Sequence, residues 1–316
     1  MRAFVFPGQG SQAAGMGKDI AAASPAARAV FQEVDDALDQ HLFRLMCEGP
    51  GEDLTLTANA QPAIMANAIA TLRVLQVEGG VSLAEKASFV AGHSLGEYTA
   101  LCAAGAFDVA TTARLLRLRG TAMQAAVPVG VGAMAALLGA DIDKAEALAA
   151  AAAQGEICTV ANDNDPGQVV ISGHTGAIER AIEMIKGDSI FWGIKRGIKL
   201  PVSAPFHCSL MQDAADAMAD ALASTQINAP LVPLYANVTA LPVVDAETII
   251  RQLVAQVTGR VRWRESVIAM ASVGVSEFIE FGGKVLCPII KRSVGDDVTA
   301  SSVITMDDIE ALLKML

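Results

Sequence analysis

The sequence predicts an α/β fold with a parallel sheet and a second, smaller α/β unit inserted into it. Two observations carry this reading. Short apolar strand patterns alternate with helical patterns from Arg2 to Ala126, and alternation of that kind builds a parallel sheet. From Pro128 onward the patterns follow the order β-α-β-β-α-β, which is that of a ferredoxin-like unit.

Arg2 to Phe6 reads as a short strand, followed by the glycine-rich turn Pro7-Gly8-Gln9-Gly10-Ser11-Gln12. One helical pattern runs from Pro25 to Leu45. Another runs from Gln61 to Gln76, where Ala63, Met65, Ala66, Ile69 and Leu72 recur at helical spacing. Ser88 to Ala91 reads as a buried strand, Glu97 to Ala104 as a helix directly after it, and Thr111 to Ala126 as the next helix. In the inserted unit, Gly132–Leu138 is a strand and Asp141–Gln154 an alanine-rich helix. Ile157–Ala161 and Gln168–Ser172 are strands joined by the turn Asn162–Gly167. Thr175–Lys186 is a second helix and Gly197–Val202 a final strand, with the extended run carried on to Ser203. The core resumes near Ala204 and contains the apolar strand Glu277–Phe281. This divides the chain into a core of residues 1–127 and 199–316 and a small subdomain of residues 128–198, with no internal repeat and no long linker.

A length of 316 residues suits about two structural units and a sizeable core. The net charge of −11 argues against a general nucleic-acid binder. The five cysteines are widely spaced, odd in number and without a C-x-x-C pair, so neither a disulfide framework nor a zinc site is expected. Free thiols and an N-terminus without signal-peptide layout fit a reducing cytoplasm. The uncharged stretch between Arg119 and Asp141 contains Pro128, Gly130 and Gly132, so it reads as buried structure and not as a membrane span.

The strongest chemical signal is Gly92-His93-Ser94-Leu95-Gly96. It is G-x-S-x-G between a strand and a helix, the context of a nucleophile elbow. Such a turn lifts the serine hydroxyl clear of the sheet and leaves the Leu95 amide at a helix N-terminus, where it can stabilise an oxyanion. A serine nucleophile needs a base, and the chain has only His41, His93, His174 and His207. His93 stands beside the serine and should point away from it. His41 falls among solvated residues of a helix, and His174 starts a helix. Elimination and position after a strand favour His207; Cys208 next to it should face the opposite way. The turn Gly8–Ala13 also satisfies the dinucleotide pattern G-x-G-x-x-G/A, but the acids about twenty residues on lie in a helical pattern. A tight loop presenting backbone amides to a reacting carbonyl is the preferred reading. Arg114 and Arg117 share one face of a helix and read as solvated. Arg119 lies among apolar residues and is either a structural ion-pair residue or a fork for a substrate carboxylate.

Taken in order, Pro7–Gln12, Gly92–Tyr98, Arg119-Gly120, Pro166–Gly173 and Pro205-Phe206-His207 closely resemble the malonyl-CoA:acyl carrier protein transacylase family of type II fatty acid synthesis, over essentially the whole chain. The resemblance implies an α/β-hydrolase-like core with a ferredoxin-like small subdomain. It implies Ser94 as the acylated nucleophile, His207 as its base, and the amides of Gln12 and Leu95 as the oxyanion hole. It assigns Arg119 to the malonyl carboxylate and the backbone carbonyl of Gln256 to orienting the histidine. Gln61, Met123 and Asn164 match pocket positions, and Phe206 resembles the malonyl-selective form. Two departures stand out: Arg260 replaces a frequent proline, and the loop Glu280–Lys284 is shortened.

The implied reaction is ping-pong transfer of malonyl from malonyl-CoA to the phosphopantetheine thiol of an acyl carrier protein. No metal or redox cofactor, membrane or nucleic acid is expected to take part, and the chain is expected to be a cytoplasmic monomer. An acidic carrier would meet Lys195, Arg196, Lys199, Arg260, Arg262 and Arg264. The rival readings are a serine hydrolase, which would usually carry a triad carboxylate between its serine and histidine, a dinucleotide-binding oxidoreductase and a non-catalytic CoA-binding module.

Overall fold

The computed structural model describes residues 1–202 and 204–316, so the last residue of the run read as extended to Ser203 lies outside the described residues. The first part of the chain contains β1 (Arg2–Phe6), α1 (Lys18–Ala23), α2 (Pro25–Leu38), α3 (Leu42–Glu48), α4 (Gly51–Thr55), α5 (Thr57–Val77) and α6 (Leu83–Lys86). It continues through β2 (Phe89–Gly92), α7 (Gly96–Ala103) and α8 (Val109–Ala125). The middle part holds β3 (Gly132–Leu138), α9 (Ile142–Ala153), β4 (Cys158–Asp165), β5 (Gln168–His174), α10 (Thr175–Gly187), α11 (Ser189–Trp192) and β6 (Arg196–Lys199). The last part runs through α12 (Gln212–Ala223), β7 (Leu234–Tyr235), β8 (Pro242–Val243), α13 (Ala246–Thr258) and α14 (Trp263–Ser272). It ends with β9 (Glu277–Phe281), α15 (Leu286–Val294), β10 (Thr299–Val303) and α16 (Met306–Leu313).

Two sheets organise these elements. A six-stranded sheet has the order β10-β9-β1-β2-β7-β8, with parallel pairing throughout except at the short β7–β8 edge. Its central strand β1 pairs Phe6 with Gly92 of β2, so both strands end at the same level. Open parallel sheets place ligands beyond such carboxyl ends. The second sheet, β4-β5-β3-β6, is antiparallel, and α9 and α10 pack on it. The chain order β-α-β-β-α-β and this strand order are those of a ferredoxin-like unit.

Local chemistry explains the boundaries. Ser24 caps α2 by accepting from the Ala27 amide, with Pro25 in the first turn. The helical pattern read from Pro25 to Leu45 is broken because Asp39 adopts a left-handed conformation (φ 48°) and ends α2. His41 consequently precedes α3 instead of lying within a longer helix. The turn expected over Asn162–Gly167 shrinks to Pro166-Gly167, because β4 runs on to Asp165, whose carboxylate accepts from the Gly167 amide. β6 stops at Lys199, short of the expected Val202. Apolar periodicity did not reveal the edge strand β10, whose half-buried Ala300, Ser301 and Ser302 give no strong alternation. Arg117 is not solvated: it is half-buried and donates to Asn59 and Gln40.

α5 is buried on nearly every side, packed among α2, α7 and α8, and its polar Gln61 and Asn67 are paired inside the protein. The hairpin β4–β5 fastens the small sheet to the core. Val261 donates to Ala161 and accepts from the Asp163 amide, while Arg264 and Arg292 pair with the buried carboxylates of Asp163 and Asp165 at 2.9 and 2.7 Å.

Helices α5 and α8 meet at Gly120, where an added Cβ would lie 2.6 Å from the Thr57 carbonyl oxygen and 2.7 Å from Ala58 Cα. Gly120→Ala is therefore expected to destabilise the fold by about 1–3 kcal/mol through overpacking. A urea unfolding midpoint equal to that of the wild type would contradict this close approach.

Candidate active site

The strand β2 turns into α7 through Gly92–Gly96, and the turn is sterically demanding. A Cβ on Gly92 would lie 1.8 Å from the Gly96 carbonyl oxygen, and one on Gly96 would lie 2.3 Å from that of Phe6. Ser94 between them is held at φ 53°, a left-handed conformation costing about 1–3 kcal/mol for such a residue. Asn237, just beyond β7, holds the turn from below. Its Oδ1 accepts from the Ser94 amide at 2.8 Å and its Nδ2 donates to the Gly92 carbonyl at 2.7 Å.

The structure brings His207 to this turn. Its Nε2 lies 2.7 Å from Ser94 Oγ, and its Nδ1 lies 2.9 Å from the backbone carbonyl oxygen of Gln256. A carbonyl can only accept, so Nδ1 carries the proton and Nε2 is left to accept from the serine hydroxyl. Gln256 sits in the last turn of α13, where helix carbonyls lack an intrahelical partner. His207 also adopts a left-handed conformation, at φ 59°. Burial, and then the Arg119 charge, push its basicity down to about 3. Cys208 is turned away and donates to the Pro205 carbonyl.

Arg119 lies beneath the serine, 1 % exposed. Nη1 donates to Gln61 Oε1 at 2.8 Å, and Nη2 donates to Gln256 Oε1 at 2.8 Å and to Ser94 Oγ at 3.2 Å. Its guanidinium carbon is 5.8 Å from the Tyr98 ring centre. No carboxylate forms a salt bridge with it among the described residues. Gln61 is fixed in turn, donating to Thr57 Oγ1 at 3.0 Å and touching Met123 Sδ at 3.9 Å.

Above the serine lies a cleft of about 270 Å³, lined by Gln9, Gly10 and Gln12 on one side and by Met134, Asn162, Leu200 and Phe206 on the other. It lies between the loop after β1 and the small sheet. The backbone amides of Gln12 and Leu95 donate no hydrogen bond within the described residues. Asn164 does not line the cleft; its Oδ1 accepts from His93 Nε2 at 2.8 Å. The loop Glu280–Lys284 is held by the Glu280 carboxylate, which accepts from the amides of Val285, Leu286 and Cys287. Among the described residues no group of His, Cys, Asp or Glu is arranged to hold a metal ion.

The basic residues assigned to a carrier surface are mostly compensated. Lys199 pairs with Glu179 at 2.9 Å, Arg264 with Asp163 at 2.9 Å, Arg260 with Glu146 and Arg262 with Glu265. Lys195 and Arg196 carry no ion pair among the described residues. Sequence reasoning missed Asn237 and Glu97. Asn237 follows an apolar run, Leu234-Tyr235-Ala236, and a lone amide in such a place is the only signal it leaves.

The depressed basicity of His207 has a measurable consequence. Inactivation by a serine-directed fluorophosphonate reads the Ser94–His207 pair without needing a substrate carboxylate. Its acid limb is expected well below pH 6.5, the ordinary imidazole value. Arg119→Ala removes a cation that opposes imidazolium formation, so the limb should move upward. A wild-type limb at the ordinary value would contradict the buried, arginine-facing placement.

Comparison with known proteins agrees with this geometry. A family model described as acyl transferase domain matches residues 3–291. The malonyl CoA-acyl carrier protein transacylase of Escherichia coli K12 is 44% identical over 314 residues, covering 99% of each chain. The crystal structure of acyl-carrier-protein-S-malonyltransferase from Bartonella henselae superimposes with a TM-score of 0.95 at 51% identity, covering 99% of this chain and 98% of that one. A type II PKS acyl-carrier protein in complex with its malonyl-transacylase contains a chain matching with a TM-score of 0.94 at 40% identity, covering 100% of this chain and 99% of that one. The chain belongs to the acyl transferase domain family, among the malonyl CoA-acyl carrier protein transacylases.

Proposed function

We propose that this protein transfers the malonyl group of malonyl-CoA to the phosphopantetheine thiol of an acyl carrier protein, through a malonyl ester on Ser94. The observation that carries the reading is a buried arginine without a carboxylate salt-bridge partner among the described residues, 3.2 Å from the hydroxyl that sits against His207. A thioester hydrolase without charge selectivity needs no such cation. A malonyl group delivers its carboxylate to that place while its thioester carbonyl stays beside Ser94.

In the first half-reaction Ser94 Oγ attacks the thioester carbon and its proton passes to His207 Nε2. Collapse of the tetrahedral intermediate breaks the carbon–sulfur bond, and His207 returns the proton to the departing CoA thiolate. The free amides of Gln12 and Leu95 are the oxyanion donors, the second reinforced by the N-terminal end of α7. In the second half-reaction the carrier thiol gives its proton to Nε2 and attacks the ester carbon, and His207 then protonates Ser94 Oγ. The Gln256 carbonyl keeps the Nδ1 proton in place throughout. Every proton and bond is accounted for by these groups and the two thiols, so the proposed reaction calls for no cofactor. The malonyl carboxylate also offsets the Arg119 charge that lowers His207 basicity, so the substrate improves its own base.

Gln61 and Met123 form the floor that orients Arg119, and Phe206 walls the acyl end of the cleft. Asn164 contributes through His93 and not by direct contact. Because four of the six assigned cations are already paired, Lys195 and Arg196 are the stronger candidates for meeting an acidic carrier. The free state of all five cysteines suits a cytoplasmic monomer, which is our reading of its setting.

Mixing with malonyl-CoA is expected to give a malonyl adduct on Ser94 by mass spectrometry, discharged by carrier protein. Rapid free malonate would instead indicate a hydrolase, and Ser94→Ala should abolish the adduct while leaving the unfolding midpoint nearly unchanged. Arg119→Ala leaves the substrate carboxylate buried and unpaired, at about 3–5 kcal/mol. That is a loss of at least about a hundredfold in malonyl kcat/KM. Acetyl-CoA should lose much less; equal losses for the two donors would make Arg119 a structural residue.

A further inference from the structure

Glu97 is a fully buried carboxylate in the first turn of α7 that the reaction above does not use. Its Oε2 accepts from Gln256 Nε2 at 2.6 Å and from the Asn237 amide at 3.3 Å. Its Oε1 has no hydrogen-bond partner among the described residues. The same Gln256 amide presents its oxygen to Arg119 Nη2 at 2.8 Å. An unbroken chain therefore runs from Glu97, through one amide, to the guanidinium that faces Ser94. At the near end of that chain Gln256 Nε2 also reaches the Ser94 carbonyl at 2.9 Å.

We propose that Glu97 is a positioning residue whose protonation state sets the anion affinity of the acyl pocket, so that binding a malonyl carboxylate draws a proton onto Glu97. This rests on the reading of Arg119 as the carboxylate site. When Glu97 is neutral, the Arg119 charge is uncompensated and the pocket attracts an anion. When it is ionised, Glu97 supplies the counter-charge through Gln256 and a second carboxylate gains less. The two anions compete for one cation, so the arrival of one favours protonation of the other.

The surroundings support this coupling. Burial, the largest influence, raises the Glu97 carboxyl to about 8, against the opposing effects of Gln256, Asn237 and Arg119. Around α7, the charged or titratable groups are few. Arg119 on α8 faces Glu97, and Tyr98 beside it is pushed above its ordinary range, chiefly by burial. At the other end of α7, Arg73 of α5, Glu33 of α2 and Asp108 at the start of α8 act on Cys102, and His207 stands against Ser94 at the turn before the helix. Gln256 and Asn237, the remaining contacts of Glu97, are neutral. Strands β1 and β2 present apolar residues at their carboxyl ends, and Tyr235 of β7 packs in a cluster with Phe89 and Trp263.

The test uses a malonyl-CoA analogue with an amide in place of the thioester, and its acetyl counterpart, in calorimetric titrations in buffers of different ionisation enthalpy. At pH 8 the wild-type protein is expected to take up about half a proton more with the malonyl analogue than with the acetyl one, since the carboxyl is then half ionised. Between pH 7 and pH 9 malonyl-analogue affinity, relative to acetyl, should fall about tenfold, following the neutral fraction of such a group. Glu97→Gln preserves the acceptor for Gln256 but cannot titrate; both effects should vanish. Equal proton uptake for the two analogues in the wild type would overturn the proposal, even if the variant failed to fold. So would a Glu97→Gln protein that kept the wild-type pH dependence. Failure of the malonyl-transfer reading would appear separately, as absence of the Ser94 adduct in the wild type at every pH.

Discussion

One residue, Gln256, ties the reacting groups together, and the rest of the site depends on its being placed at the end of a helix. Its backbone oxygen fixes the tautomer of His207, and its side-chain amide joins Arg119 to Glu97 and to the Ser94 carbonyl. Both halves of the residue are set by the same α13 backbone, so the base and the cation cannot drift independently. A helix interior could not do this, because its carbonyls are already paired. The last turn leaves them free and adds a partial negative charge that would favour the imidazolium of the proposed reaction.

The elbow is the second rigid point, and its demands are steric. Three backbone segments, from β1, β2 and α7, converge where Gly92 and Gly96 stand, and a methyl group at either would sit inside a neighbouring carbonyl. Close packing explains why the glycines lie two residues to each side of Ser94. It does not explain why the strained serine backbone persists. That is the work of Asn237, which satisfies the Ser94 amide and the Gly92 carbonyl at once. Leaving such a buried donor or acceptor unpaired at this turn would cost about 1–3 kcal/mol, so the two bonds to Asn237 offset the strain of the left-handed conformation.

What was legible in the sequence divides along this line between local and distant constraints. The elbow, the parallel sheet and the β-α-β-β-α-β order follow from short-range patterns, and the observed sheets have that organisation. Placing His207 against Ser94 required elimination among few histidines, which worked because the chain has only four. Arg119 was undecidable from spacing, since an ion pair and a substrate fork look alike until its neighbours are known. Asn237 and Glu97 act across more than a hundred residues of chain and leave no periodicity. The partners of the basic surface were illegible for a related reason: Glu146, Glu179 and Asp163, which pair with Arg260, Lys199 and Arg264, come from elsewhere in the chain. The helix read from Pro25 to Leu45 failed at Asp39, where a left-handed turn costs a residue with a short polar side chain little.

The choice of a neutral acceptor behind His207 follows from the cation beside it. A carboxylate in place of the backbone oxygen that accepts from His207 Nδ1 would orient the imidazole and strengthen it as a base, as in hydrolytic triads. Here it would also lie within reach of Arg119, whose Nη2 already bonds to the Gln256 side chain. A permanent anion there would pair with the guanidinium and remove the uncompensated cation on which the proposed malonyl selectivity rests. A backbone carbonyl orients the ring without that neutralisation, at the expense of a weaker base in the empty site. In the proposed reaction the substrate carboxylate would offset the arginine and restore basicity only when a malonyl group is bound. Among the described residues Glu97 reaches this network through Gln256, and burial raises its carboxyl to about 8, so it is not the permanent anion that would neutralise Arg119 at neutral pH. On the proposed reading, selectivity and base strength are set by a single charge balance, and a neutral acceptor behind His207 is part of how the site would tell a malonyl group from a neutral one.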